Sequence, residues 1–389
     1  MAEYAGPPRI SLGPIGWLRK NLFSTWYNAL LTFLSLWILY VVLGGTLRWA
    51  LTEADWRVIT ANLRLFMVGP YPPDQVWRPA LCVVIVSLLM GLSWGLWGGA
   101  MRQFAVALAA AFAVLALLPF PLPVRLWLLG NLVVLAAGYG IGQRVSPRWG
   151  VIGWVASFPL ILLIVAGIGG VLPPISTQRW GGLLLTFILT IVGIGASFPV
   201  GVLLALGRRS ALPAIRLFSI AFIEVVRGVP LVTVLFMGSL MLPLFLPEDV
   251  RVDQVVRAMV SITLFSAAYT AENVRGGLQA IPEGQIEAAK ALGLNGFQTL
   301  LLIVLPQALR NVIPAIVGQF ISLFKDTSLV SIIGLLDLVL IGKSVLANPD
   351  FLGLQREVYV FLALVYFVFS YAMSYASRRL EVALGVGER

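Results

Sequence analysis

Runs of about twenty apolar residues recur along almost the whole chain, and no other feature restricts the fold as strongly. A helix rises about 1.5 Å per residue, so a run of this length can cross the roughly 30 Å hydrocarbon core of a bilayer. Such runs can be drawn at 28–49, 80–98, 103–120, 124–142, 151–172, 181–206, 215–246, 256–275, 298–322 and 356–377. The sequence therefore predicts an all-α integral membrane protein with about ten transmembrane helices.

The third and fourth runs are the least secure part of this prediction. Pro119, Pro121 and Pro123 lie between them, and these prolines are also compatible with a re-entrant pair that does not cross the bilayer. The sequence thus leaves the number of spans between about eight and ten.

The composition agrees with a membrane location. Hydrophobic residues make up 59% of the chain and charged residues 11%, whereas a soluble globular protein carries about 25% charged residues. The net charge of +10 comes from Lys and Arg residues that stand singly or in pairs between apolar runs. This pattern is typical of orientation signals rather than of nucleic-acid binding, so we expect a lipid bilayer and no nucleic acid as partner.

Few residues could support catalysis. The chain has no histidine, which is the commonest general base and metal ligand, and its single cysteine, Cys82, lies in an apolar run. We therefore expect no catalytic residue, no metal site and no cofactor bound by this chain. A membrane enzyme is the weakest of the functional classes considered.

Charged residues in the loops predict the orientation. With the N-terminus inside, cytoplasmic loops hold Arg102, Arg144, Arg148, Arg208, Arg209, Lys290, Arg378 and Arg379. The opposite loops hold Glu53, Asp55, Asp74, Glu248, Asp249 and Asp350, together with several arginines. An even number of spans returns the C-terminus to the cytoplasm, so we expect a multi-pass protein with both termini cytoplasmic.

The chain divides into three predicted parts. Residues 1–27, which include Arg9, form a cytoplasmic segment without an evident cleavage site, so the first apolar run is a retained helix. Residues 28–176 form additional N-terminal transmembrane helices with an outer loop at 50–79. Within that loop, 56–68 fits either a short helix on the membrane surface or a plain ordered loop. Residues 177–389 carry all the patterned polar segments.

The most patterned segment is a loop at about 280–306, between two membrane-length runs. Its small residues allow a short helix to be gripped closely, and Gly293 permits the positive φ that ends such a helix. Pro306 removes a helical donor where the next helix is predicted to start. The loop is therefore predicted to be a compact knob rather than an active site, and it includes Glu287, Ala288, Ala289, Gly293 and Leu294.

This spacing of Glu, Ala, Ala, Gly, Ile, Leu and Pro resembles the EAA loop of the inner-membrane permease subunits of ATP-binding-cassette (ABC) importers. The flanking segments IEVVRGVPL, RGGLQAIPEGQ, LPQALRNVIPAI and FKDTSL resemble the polar amino acid permeases. WGGLLLTFILT and GRRS resemble the larger general L-amino-acid permeases. The resemblance is specific over about 180–380.

The resemblance implies the architecture and the partners. Residues 177–389 would form a type I ABC importer permease core, and 280–306 would hold a coupling helix, the docking knob. Its five residues Glu287, Ala288, Ala289, Gly293 and Leu294 would contact an ATPase. The partners would be a second permease subunit, expected to make a heterodimer although a second copy of this chain stays open, and two cytosolic ATPases. ATP and Mg would bind to those ATPases. A periplasmic amino-acid-binding protein would deliver the substrate at the bacterial inner membrane.

Polar groups inside a span indicate a transport path, because they are costly in a bilayer. The segment IEVVRGVPL interrupts one run, with Gly228 and Pro230 breaking the helix near the predicted bilayer middle. Amides at such a break can receive a carboxylate. We assign Glu224, Arg227, Gly228, Val229 and Pro230 to a substrate site. In the alternative, Glu224 and Arg227 pair only with each other, one turn apart, and brace a kink.

A second polar place is QFISLFKDTS. Many polar amino acid permeases have Glu at the position of Gln319, and Asp326 follows seven residues later, on the same helix face. Because the glutamine removes one negative charge, the resemblance predicts a substrate range of neutral or mixed L-amino acids rather than strictly basic ones. Thr327 and Ser328 complete this predicted site.

Glu272 and Arg275 lie one turn apart near the predicted cytoplasmic mouth, where they could form an inner gate or a local ion pair that holds the loop. Taken together, the sequence predicts the non-catalytic permease subunit of an ATP-driven amino acid importer. The alternative is an ATP-independent secondary transporter or channel in which 280–306 is an ordinary loop.

Overall fold

The computed structural model describes residues 13–247 and 249–383, so Arg9 and Glu248 lie outside the described residues. The described residues form helices and no β-strand, which confirms the all-α fold. The chain divides into two compact units, Met1–Val58 and Ile59–Arg389. The predicted three-part division, with its boundary at residue 176, stays a prediction.

The first unit contains two helices, α1 Pro14–Asn21 and α2 Trp26–Thr52. Thr25 caps α2, and the Thr32 hydroxyl donates to the Leu22 carbonyl at 2.9 Å. None of the 27 residues of α2 is buried, as expected for an apolar helix surrounded by lipid. Beyond α2, the Arg57 guanidinium bonds to Asp55 and lowers the pKa of that partly exposed carboxyl to about 2.

The remaining helices fall into two groups along the chain. The first group is α3 Arg57–Ala61, α4 Leu63–Val68, α5 Trp77–Trp97, α6 Gly99–Leu117, α7 Leu122–Gly142 and α8 Pro147–Ala166. The second group is α9 Gly182–Arg208, α10 Pro213–Arg227, α11 Leu231–Phe236, α12 Leu242–Phe245, α13 Gln254–Gln279, α14 Glu283–Ala291, α15 Gly296–Gln298, α16 Leu305–Asp326, α17 Leu338–Leu346 and α18 Gln355–Ala383.

Eight helical segments of the described chain are long and apolar enough to cross a membrane. Helices α6 and α7 are among them, which favours two spans over a re-entrant pair. The predicted run 215–246 is instead α10 and the α11–α12 segment, which meet at an angle of 108°. The predicted run 256–275 is α13, which is long enough but carries Arg257, Glu272 and Arg275. The ten predicted runs therefore comprise eight qualifying spans, one bent pair and one more polar helix.

Helices α5 and α7 pack with their backbones in contact. A Cβ atom on Gly91 would lie 2.0 Å from the Leu135 carbonyl oxygen, and one on Gly138 would lie 2.3 Å from the Leu88 carbonyl oxygen. The Ser87 hydroxyl donates to the Asn131 side-chain carbonyl across the same pair at 2.9 Å. Small residues of this kind allow apolar helices to approach closely within a membrane.

The segment 56–68 forms two short helices, not one. α3 and α4 are separated at Asn62, and the Phe66 ring of α4 is buried with its centroid 5.0 Å from that of Phe361 on α18. Gly182, with φ of +58°, lies so close to α4 that a Cβ atom would be 2.3 Å from the Phe66 carbonyl oxygen. The apolar side of α4 thus packs on protein, and the position of this segment at the membrane surface stays a prediction.

Helix α13 occupies the centre of the second group, packing against α9, α10, α11 and α16. Ile262, in its first half, belongs to an apolar cluster that includes Leu189 and Leu323. Ala271, in its second half, belongs to another cluster with Ala205 and Ala308. The polar residues of α13 lie along the same helix, and they form the site described below.

Two short helical segments precede the helix that was predicted to start at Pro306. Asn295 caps α15, and the π-helical segment Thr299–Val304 joins α15 to α16 without a break. In a π-helix the hydrogen bonds run over five residues, which shifts the bonding pattern before the proline, where an N–H is missing. The α-helix α16 itself begins at Leu305 with Pro306 in its first turn, which confirms the predicted start, and the helical segments before it extend the rod towards the loop.

Candidate functional site

A cavity of about 410 Å³ opens between α11, α13 and α16. Its volume is within the range of small-molecule sites, which is about 300–1,000 Å³. The lining residues are Leu231, Ile262, Phe265, Ser266, Tyr269, Asn273, Gln319, Ser322, Leu323 and Asp326. The cavity thus combines apolar side chains with a few polar ones, and it contains Gln319 and Asp326, as the prediction of a shared helix face requires.

Gln319 joins the two long helices of this cavity. Its side-chain carbonyl accepts from the Asn273 amide at 2.9 Å. Its own amide donates to the Ser266 carbonyl at 2.7 Å and lies 3.1 Å from the Ser266 hydroxyl. The amide oxygen and the amide nitrogen of Gln319, which lies on α16, are therefore both bonded to residues of α13.

Asp326 is the last residue of α16 and the one carboxylate among the described lining residues. Thr327 is buried, and its hydroxyl donates to the Phe324 carbonyl at 2.6 Å. The Ser328 carbonyl accepts from the Ser331 hydroxyl at 2.8 Å. Neither Thr327 nor Ser328 contributes to the described cavity lining, so their assignment to the substrate site stays a prediction without support from the cavity.

The break predicted at Gly228 and Pro230 is present, because α10 ends at Arg227 and α11 begins at Leu231. Leu231 reaches the cavity, but the five residues predicted here do not line it. The Gly228 amide already donates to the carbonyls of Glu224 and Val225 at 3.0 and 3.2 Å. That amide is therefore not free to receive a carboxylate, and the substrate role of Glu224, Arg227, Gly228, Val229 and Pro230 stays a prediction.

Charged residues of three helices meet where α9 and α10 end. Arg208 at the end of α9 lies 2.9 Å from Glu224 and 3.4 Å from Glu272. Arg227 at the end of α10 lies 3.6 Å from Glu272, which also pairs with Arg275 on α13. Glu272 thus contacts three arginines. The alternative in which Glu224 and Arg227 pair only with each other is wrong.

The charge cluster, defined as Arg208, Glu224, Arg227, Glu272 and Arg275, borders the cavity through one aromatic ring. The Arg227 guanidinium carbon lies 5.5 Å from the centroid of Tyr269, and Tyr269 lines the cavity. A cation at this distance is attracted by the ring quadrupole. The Arg227 Nε is buried and has no hydrogen-bond partner among the described residues. Whether Glu272 and Arg275 act as an inner gate stays a prediction.

The docking knob is a short exposed helix with a glycine stop. In α14, Glu287 and Ala288 are exposed and Ala289 is buried. Gly293 has φ of +79°, its N–H donates to the Lys290 carbonyl at 2.9 Å, and the Leu294 N–H donates to the Ala289 carbonyl at 3.1 Å. These two bonds form a Schellman motif, which confirms the predicted positive φ at Gly293.

Residues 197–384 match the family described as "Binding-protein-dependent transport system inner membrane component". The chain is 40% identical over 390 residues to the "Inner membrane amino-acid ABC transporter permease protein YhdY" of Escherichia coli (strain K12), an alignment that covers 95% of this chain and 93% of the relative. The chain belongs to the amino-acid permease family of ABC importers. The permease is thus a multi-pass inner-membrane component of a transport system, as the sequence predicted.

Two further similarities concern this permease. It is 37% identical over 423 residues to the "Glutamate/glutamine/aspartate/asparagine transport system permease protein BztC" of Rhodobacter capsulatus, covering 96% of this chain and 94% of the relative. A solved structure described as "Crystal structure of an amino acid ABC transporter with histidines" is 29% identical, with a TM-score of 0.46, and covers 51% of this chain and 90% of that chain.

The predicted EAA loop at 280–306 lies within residues 197–384, which match this family, and such a loop is a feature of the family. Sequence reasoning identified the α16 wall of the cavity but missed the α13 wall. Ser266, Tyr269 and Asn273 recur at helical spacing on one face of α13, and this spacing was the available signal. Sequence reasoning places Arg208 in a loop, and nothing in its local sequence indicates its ion pairs.

A metal site is not expected from the sequence. Among residues 13–247 and 249–383, no group of three or more His, Cys, Asp or Glu side chains could hold a metal ion. The expectation that this permease binds no metal or cofactor stays a prediction.

Proposed function

We propose that this permease lines the path of an ATP-driven importer of neutral or mixed L-amino acids. The cavity of about 410 Å³, with Asp326 as the one carboxylate of its described lining, carries the proposal. The described lining contains neither Lys nor Arg. A single negative charge in a partly dry cavity favours substrates of zero or positive net charge over anionic ones.

The names of the relatives support an amino acid substrate, and they leave its range open. The Rhodobacter relative is named for two acidic and two neutral amino acids, which agrees with a mixed range. In this chain, an acidic side chain would find no cation in the described wall of the cavity. We therefore expect glutamine and leucine to be carried better than glutamate.

The proposed complex contains a second permease subunit, two ATPases that bind ATP and Mg, and a periplasmic binding protein. The exposed helix α14 with Glu287, Ala288, Ala289, Gly293 and Leu294 would seat in a groove on one ATPase. The permease itself would hydrolyse no ATP. A second permease is proposed because the two halves of this chain show no repeat that could supply a second core. The resemblance favours a different chain as this partner, and a second copy of the same chain stays open.

The complex and its energy source can be tested together. The permease would be co-expressed with its proposed partner subunits and purified, and the proteins that copurify would be identified by mass spectrometry. The complex would then be reconstituted in proteoliposomes with the binding protein. We expect an ATPase to copurify and uptake of labelled glutamine or leucine to require enclosed ATP. Uptake at the same rate without ATP would instead favour a secondary transporter or channel.

Both termini are proposed to lie in the cytoplasm, with α14 on the same side. In a Cys82→Ala background, cysteines introduced at Pro247 or Asp350 should react with an impermeant thiol reagent added from the periplasm. Cysteines at Ser210 or Gln285 should not react until the membrane is permeabilised. The reversed pattern would contradict the orientation and would separate α14 from any cytosolic ATPase.

A further inference from the structure

Gln319 has little bonding capacity left for a substrate. A primary amide offers two N–H donors and a carbonyl oxygen that accepts. In Gln319 the nitrogen lies 2.7 and 3.1 Å from two oxygens of Ser266, and the oxygen accepts from Asn273 at 2.9 Å. The side chain borders the cavity, yet its polar atoms are bonded to α13.

The partners on α13 also favour an amide over a carboxylate at this position. The Ser266 backbone carbonyl can only accept a hydrogen bond, so an ionised carboxylate at residue 319 would place two acceptors about 2.7 Å apart. Asn273 donates to the Gln319 carbonyl, which directs the amide nitrogen of Gln319 towards Ser266. Asn273 and Ser266 therefore determine the orientation of the Gln319 amide, with its oxygen towards Asn273 and its nitrogen towards Ser266.

This arrangement also ties together the two helices on either side of the coupling segment. Helix α13 precedes the segment and α16 follows it, and nearer the loop a Cβ atom on Gly277 would lie 2.6 Å from the Ala308 carbonyl oxygen. The bonds from Gln319 join the same two helices at the cavity. The hairpin is thus closed both near the docking helix and at the substrate cavity.

We propose that Gln319 is an interhelical latch rather than a substrate ligand, and that Asn273 is the positioning residue that orients it. The latch keeps the α13 and α16 walls together, so that movement of α14 reaches the cavity through one hairpin. Asp326 is then the residue that discriminates between substrates by their charge. This inference rests on the proposed function, and it replaces the substrate contact predicted for Gln319.

The latch is tested first without substrate, by thermal unfolding of the purified complex. Asn273→Ala and Gln319→Met should each lower the unfolding temperature, and the double variant should lower it no further than the more harmful single change, because both remove the same bond. Gln307→Met is the matched control, since the Gln307 amide donates to the Ile303 carbonyl of its own helical segment at 2.9 Å. Its effect should add to that of Asn273→Ala. Additive effects of Asn273→Ala and Gln319→Met would overturn the latch.

The second test measures selectivity by competing uptake of labelled arginine and labelled leucine. Gln319→Met and Asn273→Ala should change both rates by the same factor within about twofold, whereas Asp326→Asn should change their ratio about tenfold. A changed ratio in Gln319→Met would place Gln319 on the substrate and overturn the proposal. If Gln319→Met does not assemble, Gln319→Ala, which removes the same amide, is measured in its place.

The two proposals can fail separately. If the wild-type complex carries none of glutamine, leucine and arginine, the proposed function fails while the unfolding temperatures still test the latch. If uptake is ATP-dependent but the two unfolding effects add, the proposed function stands and the latch is wrong.

Discussion

Two regions of this permease are held together in opposite ways. Helices α5 and α7 meet backbone to backbone at Gly91 and Gly138, in a part of the chain that precedes the matched family region. The ends of α9, α10 and α13 meet through long charged side chains, with Glu272 between three arginines. Backbone packing allows one arrangement, whereas an arginine can exchange one carboxylate for another. The first region is therefore suited to a fixed support and the second to a path that changes shape.

The largest expected effect comes from breaking the fixed support. Gly91→Val would place a branched side chain where even a Cβ atom lies 2.0 Å from the Leu135 carbonyl oxygen, so α5 and α7 must separate. We expect a loss of about 3 kcal/mol or more in unfolding free energy, and little assembled complex on size-exclusion chromatography. Gly140→Ala on α7 is the control, because a Cβ atom there meets nothing within 4 Å. Equal yields of the two variants would contradict the close packing.

The next effect concerns a glycine that is needed for its backbone angle instead of its size. Gly293 has φ of +79°, and a Cβ atom added to it would meet no other atom within 4 Å. Gly293→Leu should strain the Schellman motif by about 1–2 kcal/mol and misplace α14, so that uptake falls at least tenfold while the ATPases still hydrolyse ATP. Gly293→Asn should retain more uptake, because asparagine tolerates this angle. Normal uptake by Gly293→Leu would contradict a coupling role for this turn.

Much of the fold could be predicted because apolar runs and glycine stops are local signals. The α2, α5–α9 and α18 spans and the positive φ of Gly293 follow from residues close in the sequence. The bend between α10 and α11 was predicted, but its angle of 108° was not. Proline and glycine indicate where a helix breaks, while tertiary packing decides how far it turns. The buried position of Phe66 also depended on α18, almost three hundred residues away.

The site was predicted in part for the same reason. Gln319 and Asp326 lie on one helix face, so their spacing placed both at the cavity. The helical spacing of Asn273 with Ser266 and Tyr269 is a local signal for one face of α13. The partners of Asn273 and Arg208 lie on other helices, and a single sequence contains no local trace of those pairs. The depth assigned to Gly228 and Pro230 assumed a straight span, and the bend between α10 and α11 removes that assumption.

A smaller effect is expected from removing the charge of the cavity. Asp326→Asn keeps the size of the side chain but removes the one carboxylate of the described lining. Uptake of labelled arginine should fall about tenfold relative to leucine, which corresponds to about 1.4 kcal/mol, because a cation loses a charge-assisted interaction and a neutral side chain does not. Ser322→Ala, at the same cavity, tests whether any change in the lining produces this shift. An unchanged ratio of arginine to leucine uptake in Asp326→Asn would mean that a different residue determines charge selectivity.

The smallest single effect is expected at one of the two carboxylates of the charge cluster. The Glu272 side chain is 19% exposed and contacts three arginines, while that of Glu224 is 53% exposed and contacts Arg208. Glu272→Gln should lower the unfolding free energy by about 1–2 kcal/mol, because three guanidinium groups lose a shared partner in a half-buried place. Glu224→Gln should lower the unfolding free energy by about 0.5 kcal/mol or less, because exposed ion pairs contribute little. Raised salt should abolish this small loss, because salt screens exposed charges. Chemical unfolding of the complex in micelles at low and high salt measures both. Equal losses for the two variants would mean that the cluster is not centred on Glu272. The three arginines would then share no common carboxylate, and an exchange of arginine partners at Glu272 could not accompany a change in the shape of the path.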